Sequence, residues 1–228
     1  MAEYNIICAD SIVYLSAQQD NSIENFVTGL PDMNEVSMTI DNYINFFRDT
    51  AYLIFKKLSR SGYAIFVQTD RKVNGEWFDK SYHLTDMAYK AGCKLMWHKI
   101  ILQREVGKIH LQRPTYSHVL CYSYTNKPGK AFEDVLPIGS KIYENATPLN
   151  IAEKSIDFIL SSHSERKVVD PFVGRGTVGI VCLEKCIKFL GIDIDKDQCV
   201  LTEKALEQAS SKNKISKKIT CKLLKVKH

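Results

Sequence analysis

One segment constrains this chain more than any other. Lys167 to Asp170, a short apolar run of strand character, leads directly into Pro171-Phe172-Val173-Gly174-Arg175-Gly176-Thr177, and Val178 to Cys186 then reads as a helix. Gly174, Gly176 and Gly179 form G-x-G-x-x-G. Glycines so placed let the backbone approach a ligand without Cβ collisions, and the free N–H groups opening the helix favour a negative group there. The next strand, Phe189 to Ile192, ends at Asp193, where a carboxylate can accept hydrogen bonds from the two hydroxyls of a ribose. Glycine turns also join strands to helices where nothing binds, so the motif alone is weak. Its context and the acid together give a nucleoside-binding reading.

The remaining segments supply the sheet that such a unit needs. Asn5 to Ala9 and Asn25 to Thr28 are short apolar runs that end in Asp10 and in Gly29-Leu30-Pro31-Asp32. Ile40, Tyr43, Ile44, Phe47, Ala51, Ile54, Phe55 and Leu58 recur at helical spacing. A strand over Tyr63 to Gln68, a polar loop, and a helix from about Ser81 to Ala91 stopped by Gly92 follow. Lys94 to Leu102 and His118 to Tyr124 read as an antiparallel pair closing one sheet edge. Strands alternating with helices predict an α/β fold, a doubly wound, mostly parallel sheet of seven strands with an antiparallel edge strand. In such sheets ligands bind outside the carboxyl ends of the strands.

Composition narrows the class of protein. With 228 residues, 45% hydrophobic and 25% charged, the chain has the make-up of an ordinary globular domain. No apolar run approaches the roughly 20 residues of a membrane-spanning helix, and Met1 to Asp10 lacks the basic-then-apolar pattern of a signal peptide. Seven scattered cysteines with no C-x-x-C pair point to reduced thiols and to no metal centre, and hence to a cytoplasmic or nuclear protein. The net charge of +5 resides largely in the tail, where residues 210–228 hold seven lysines and no acid. We therefore divide the chain into one domain over 1–209 and a lysine-rich tail over 210–228. The tail can track phosphates or serve as a solvated extension, and Ile219, Cys221 and Leu223 alternate as a short final strand does. A second local excess of cations lies between Lys94 and Arg113.

A dinucleotide enzyme usually places its glycine loop early and follows it with further strand and helix units. Here the chain ends about 35 residues after Asp193. The strands that flank the glycine loop must then come from residues before it.

Asp170-Pro-Phe-Val-Gly-Arg-Gly-Thr177 with Gly191-Ile-Asp-Ile-Asp195 resembles the S-adenosylmethionine-binding blocks of Rossmann-fold, class I methyltransferases. The order of segments is similar to that of the nucleic-acid amino-methyltransferases whose blocks are circularly permuted, target block first and cofactor block last. Asn5 to Ser11 looks like that family's opening strand. Val27 to Asp32 occupies the place of its Asp-Pro-Pro-Tyr block, and Trp97-His98-Lys99 that of a Trp-x-Lys strand. Arg113 to Cys121 resembles the strand carrying His-Glu, and Asn145-Ala-Thr-Pro148 a Lys-Pro helix start. The resemblance implies S-adenosylmethionine as cofactor, held by Asp10 at the adenine, Asp193 at the ribose and Asp170 near the methionine amino group. Pro171, Phe172, Gly174, Gly176 and Thr177 belong to the same loop. It also implies that the front and rear thirds of the chain lie side by side. The target block departs from the family: the acid position is Gly29, the first proline Leu30, the aromatic Asp32. Thr28, Pro31, Asp32 and Glu35 are the catalytic candidates, the two acids as acceptors of a proton or as ordinary loop and helix-entry acids.

Nearby polar residues are candidates for the substrate rim. Gln68, Asp70, Lys72 and Trp77 follow a predicted strand, Trp77 by stacking and the cation on phosphates. Arg113, Tyr116 and His118 can line the opposite wall and Lys99 is a further substrate-binding candidate, although Trp77, Tyr116 and His118 also suit residues that pack their own loop or strand edge. The expected function is methyl transfer to nucleic acid, with RNA slightly favoured over DNA because the target block has drifted. Three alternatives stay open: a methyltransferase of a protein or small molecule, an inactive cofactor-binding partner subunit, and, on the glycine motif alone, a nicotinamide oxidoreductase. A protein partner or a homodimer is left open too.

Overall fold

Strands and helices alternate along a computed structural model that describes residues 3–125, 130–143, 146–162 and 166–225, with 212–225 as backbone only. In chain order these are β1 (Tyr4–Cys8), α1 (Ser11–Ala17), β2 (Ile23–Thr28), α2 (Met33–Val36), α3 (Ile40–Lys57), β3 (Leu58–Gln68), β4 (Arg71–Val73), β5 (Glu76–Phe78) and α4 (Lys80–Ala91). There follow β6 (Lys94–Leu102), β7 (Tyr116–Ser123), β8 (Val135–Leu136), α5 (Leu149–Ser162), β9 (Lys167–Asp170), α6 (Thr177–Glu184), β10 (Lys188–Asp193) and α7 (Lys196–Lys225).

The main sheet has the order β1-β10-β9-β2-β3-β7-β6-β8. Only β7 runs against its neighbours, β3 and β6; the other pairings are parallel. The architecture is the α/β class I methyltransferase-like fold. Two details differ from expectation. The sheet has eight strands rather than seven, because the two-residue β8 pairs with Ile100 and Ile101 and is too short to leave a pattern. The antiparallel strand lies two places in from the edge, since β6 turns back to run parallel with β3 and β8 pairs parallel with β6 beyond it.

Residues 69–80, expected to be a polar loop, contain the β4–β5 hairpin. Its turn is Asn74-Gly75, both at positive φ (51° and 89°), the conformation a two-residue hairpin turn requires. The strand expected over Ile219 to Leu223 is part of α7, which also runs through the boundary drawn at 209. An alternation of five residues cannot separate strand from helix.

Two apolar layers sandwich the sheet. Tyr43, Phe47, Ile54 and Phe55 of α3 pack with Leu84 of α4 on Phe66 and Tyr122. On the other face Ile151, Ile156 and Ile159 of α5 and Val178 and Val181 of α6 pack on Val27, Ile65 and Cys121. These side chains are almost fully excluded from water, roughly 1.5–3 kcal/mol of transfer free energy each. Among the described residues no helix is long and apolar enough to cross a membrane. With both faces covered, the carboxyl ends of the strands are where polar side chains converge.

Candidate active site

The first wall is made by the two ends of the chain. β1 lies parallel to β10 with Cys8 opposite Asp193, and the Ala9 amide donates to the Asp193 carbonyl at 2.9 Å. Asp10 and Asp193 are thus neighbours across adjacent strand ends. Asp10 caps α1, its Oδ1 accepting from the amides of Ile12 and Val13 at 2.7 and 3.1 Å. Asp193 accepts from the Gly174 amide at Oδ2 (3.0 Å) and from the Asp195 amide at Oδ1 (3.0 Å). Burial outweighs these bonds and raises its carboxyl above the ordinary range.

The glycine loop leaves β9 next to this pair. Gly174 and Gly176 have φ of +52° and +80°, a region L side chains rarely occupy. A side chain at Gly174 would collide with the Tyr143 hydroxyl, and one at Gly176 would come within 2.7 Å of Thr202 Cγ2. The clearance that sequence reading assigned to a ligand is therefore used by two side chains of the chain itself. Tyr143, absent from the sequence-based candidates, lies across the loop with the Arg175 guanidinium 5.0 Å from its ring centroid. Burial first, then the carboxylates of Asp170, Glu35 and Asp193, raise its hydroxyl above the usual phenol range. Its contacts are with the glycine loop, at Gly174 and Arg175. No periodicity or motif marks it.

Asp170 ends β9 and is buried. Its Oδ1 accepts from the Thr28 hydroxyl at 2.7 Å and from the Phe172 amide at 3.2 Å. Among the described residues it has no ion pair, and burial pushes its carboxyl up to about 7. The Thr177 hydroxyl at the start of α6 is buried as well and has no hydrogen-bond partner among the described residues. Pro171 gives its carbonyl to the Ser11 hydroxyl, and Phe172 packs half-buried on the α3 side of the sheet. A buried carboxyl without a cation and an orphaned hydroxyl beside a glycine loop fit a ligand that carries an ammonium group and further donors and acceptors.

The target block follows β2, one strand further on. Gly29 lies with its α-carbon against β3, and a Cβ there would sit 3.0 Å from the Val67 carbonyl oxygen. The Leu30 carbonyl accepts from Gln68 Nε2 at 3.3 Å and the Pro31 carbonyl from the Tyr43 hydroxyl at 2.9 Å. Asp32 caps α2 in a reciprocal box with Glu35, whose Oε2 accepts from the Asp32 amide at 2.7 Å. Three cations converge on the same carboxylate: Arg71 at 3.0 Å, Arg113 at 3.1 Å and Lys80 at 3.2 Å. Burial works against its charged form, but Lys80, the Met33 amide and Arg71 win and hold it below the ordinary range.

Behind this hub Asp70, also buried, accepts from His118 Nε2 (2.9 Å) and Trp77 Nε1 (3.2 Å) at Oδ2, and from the Lys80 amide at Oδ1 (2.9 Å). His118 in turn meets His98 at 2.8 Å and the edge of the Tyr116 ring at 5.3 Å. Gln68, Asp70, Lys72, Trp77, Arg113, Tyr116 and His118 therefore gather at one rim, the half-exposed Trp77 and the exposed Lys72 on the β4–β5 hairpin. Lys99 does not join them. It is buried and donates to the Phe132 carbonyl and Asp134, fixing the segment that leads into β8. Lys80, which sequence reading passed over, belongs to the site. Asn145 of the expected helix start lies outside the described residues.

Residues 103–204 match the sequence model of the N6_N4_Mtase family, DNA methylase. No curated protein matches the chain significantly in sequence. Among solved structures the fold is similar to that of a protein from Thermus thermophilus, provisionally described as a DNA modification methylase and complexed with S-adenosyl-L-methionine. That match has 16% identity and a TM-score of 0.72, covering 92% of this chain and 95% of the other. PvuII DNA methyltransferase, cytosine-N4-specific, aligns with 16% identity and a TM-score of 0.73, covering 94% and 92%. M1.HpyAVI in its SAM complex aligns with 16% identity and a TM-score of 0.64, covering 89% and 99%. The family match supports an S-adenosylmethionine-dependent methyltransferase, and neither it nor the shared fold supports the expected preference for RNA.

Proposed function

We propose that this chain is an S-adenosylmethionine-dependent methyltransferase that modifies DNA at a nitrogen of a base. The observation that carries the reading is the convergence, at four adjacent strand ends, of Asp10, Asp193, the glycine loop with Asp170, and the block from Thr28 to Asp32, in the order β1-β10-β9-β2. That order is what a circularly permuted arrangement of the family's blocks requires, with the two ends of the domain meeting at the adenosyl side.

When bound, the cofactor supplies a methyl group already activated on a sulfonium. In this reading Asp170 receives the ammonium group of its methionine moiety, which replaces the missing cation in a buried position. Asp193 keeps a second lone pair on each oxygen for the ribose hydroxyls while its backbone bonds fix the carboxylate. Asp10 borders the adenine, and Thr28 holds Asp170 in place. The nucleophile is aligned by the target block. The Leu30 carbonyl, held by the long bond from Gln68, is the acceptor that an incoming amine can compete for. Asp32, occupied by three cations, organises the rim and takes no proton, so the proton of the methylated nitrogen leaves to solvent.

A second reading is a cofactor-binding subunit without turnover, favoured by the missing carboxylate at Gly29. Incubation with methyl-labelled cofactor and unmethylated DNA, RNA and protein extract separates the readings. Label in DNA supports the proposal, label in RNA or protein redirects it, and cofactor binding with no label in any extract favours the second reading. No cofactor binding at sub-millimolar concentration removes both.

A further inference from the structure

The loop between β6 and β7 leaves the same end of the sheet as the glycine loop, where the parallel strands have their carboxyl ends, and its feet are fixed. The Gln103 amide donates to the Thr115 carbonyl at 2.8 Å, the Lys72 amide to the Gln112 carbonyl at 2.9 Å, and Arg113 pairs with Asp32 of the target block. Between these anchors residues 104–112 are all exposed. The tip is a tight turn, closed by the Lys108 amide on the Glu105 carbonyl at 3.2 Å with Gly107 at φ +86°. That turn holds Val106 at its apex with 87% of its surface in water, and Ile109 and Leu111 follow at 83% and 85%.

Single exposed aliphatics are common, whereas three within six residues, on a loop anchored beside a candidate site, make a patch with a direction. Arg104 and Lys108 are interleaved with them, against the single acid Glu105. An aliphatic wedge between cations matches one chemical surface well: a duplex whose phosphates take the cations while apolar side chains enter between base steps.

We infer that the 104–112 loop is a wedge that docks on double-stranded DNA and fills the gap left where a base is unstacked, Val106, Ile109 and Leu111 entering the stack and Arg104 and Lys108 resting on the flanking phosphates. The inference rests on the reading of DNA as substrate. It adds a means of opening the duplex, for a base inside the stack cannot reach the strand ends where Leu30 and Asp170 lie.

Binding is measured by fluorescence anisotropy on two labelled 30-base-pair duplexes of one sequence, fully paired or with one abasic site. The wild-type chain binds the abasic duplex more tightly, because the unstacking cost is already met. The V106S/I109S/L111S variant loses that preference and binds the abasic duplex about tenfold more weakly. R104A and K108A weaken binding to both duplexes alike, and each lowers the slope of log affinity against log salt by about 0.9. Cofactor titration and thermal melting of the triple variant report whether its fold and cofactor site are intact. A folded triple variant that binds the abasic duplex as the wild type does, or a wild type indifferent to the abasic site, overturns the wedge. If the wild type also methylates DNA, either result overturns the wedge alone. A wild type that shows the wedge signature yet transfers no methyl group keeps the wedge and removes the methyltransferase reading.

Discussion

Thr28 and Asp170 are 142 positions apart in the sequence, yet the threonine hydroxyl donates a 2.7 Å hydrogen bond to the aspartate carboxylate. That bond ties the strand leading into the target block to the strand leading into the glycine loop, on a carboxyl that burial pushes up to about 7.

Its pH dependence follows in sign. Asp170 titrates higher in the folded chain than its ordinary value of about 3.9, so it burdens the fold little below pH 4 and destabilises it increasingly as pH rises through 7. Asp170→Asn removes that burden, and we expect the variant to exceed the wild type in stability by roughly 2–4 kcal/mol at pH 8 and by little at pH 4. Urea unfolding at both pH values measures the gap. Cofactor affinity should move oppositely: it rises in the wild type from pH 5 to 8, as the carboxylate forms to meet an ammonium, and is at least tenfold weaker and flat with pH in the variant. Equal affinity of the two proteins at pH 8 would remove Asp170 from the cofactor site.

The ion pairs of Asp32 make it a structural residue. Asp32→Asn leaves Lys80, whose side chain is 3% exposed, facing Arg71 and Arg113 without the carboxylate that pairs with all three. We expect a loss of roughly 2–4 kcal/mol in chemical denaturation. Because the carboxyl titrates below its ordinary value, the wild type loses this contribution as pH falls below about 4. A variant that melts like the wild type but has no turnover would instead make Asp32 a proton acceptor.

Tyr143 and Gly174 should show energetic coupling. Gly174→Ala places a methyl group against the Tyr143 hydroxyl at a positive-φ position, with an expected cost of about 2–3 kcal/mol. Tyr143→Phe removes the colliding oxygen, so the double variant should recover about 1 kcal/mol of that loss. Additive effects in the double-mutant cycle would mean that the two residues do not touch in solution.

Asp70 fastens the β4–β5 hairpin and the start of α4 to β7. Asp70→Ala strands the Trp77 indole and the Lys80 amide, and amide exchange across residues 71–80 should accelerate at least tenfold while that of β9 and β10 stays near the wild-type rate. Unchanged exchange in the hairpin would show that its own pairing suffices.

Much of this was legible in the chain. The helical spacing from Ile40 to Leu58 gave α3, and Lys94 to Leu102 gave β6 with the bounds observed. Asp10, Asp170 and Asp193 were readable because each ends an apolar run, and a parallel sheet aligns such ends. The hairpin over 71–78 leaves only its Asn74-Gly75 turn as a sequence signal, because Arg71-Lys72-Val73 and Glu76-Trp77-Phe78 are too short to show alternation. Tyr143 and Lys80 were not readable at all. Their roles depend on residues more than thirty positions away, against which no local pattern selects. Lys99 misled for the opposite reason, since a lysine within a strand bears no mark of which end of the sheet its amine reaches.

The pairing of β1 with β10 carries a consequence for biogenesis. Tyr4 to Cys8 leave the ribosome well before the partners that cover them, Phe189 to Asp193. During synthesis β1 has an open flank until β10 has emerged, and its enclosure is a long-range closure of the kind that folds slowly. A truncated translation product ending before β10 would therefore be born without an adenosyl cradle and with an unprotected edge, a natural client for chaperones.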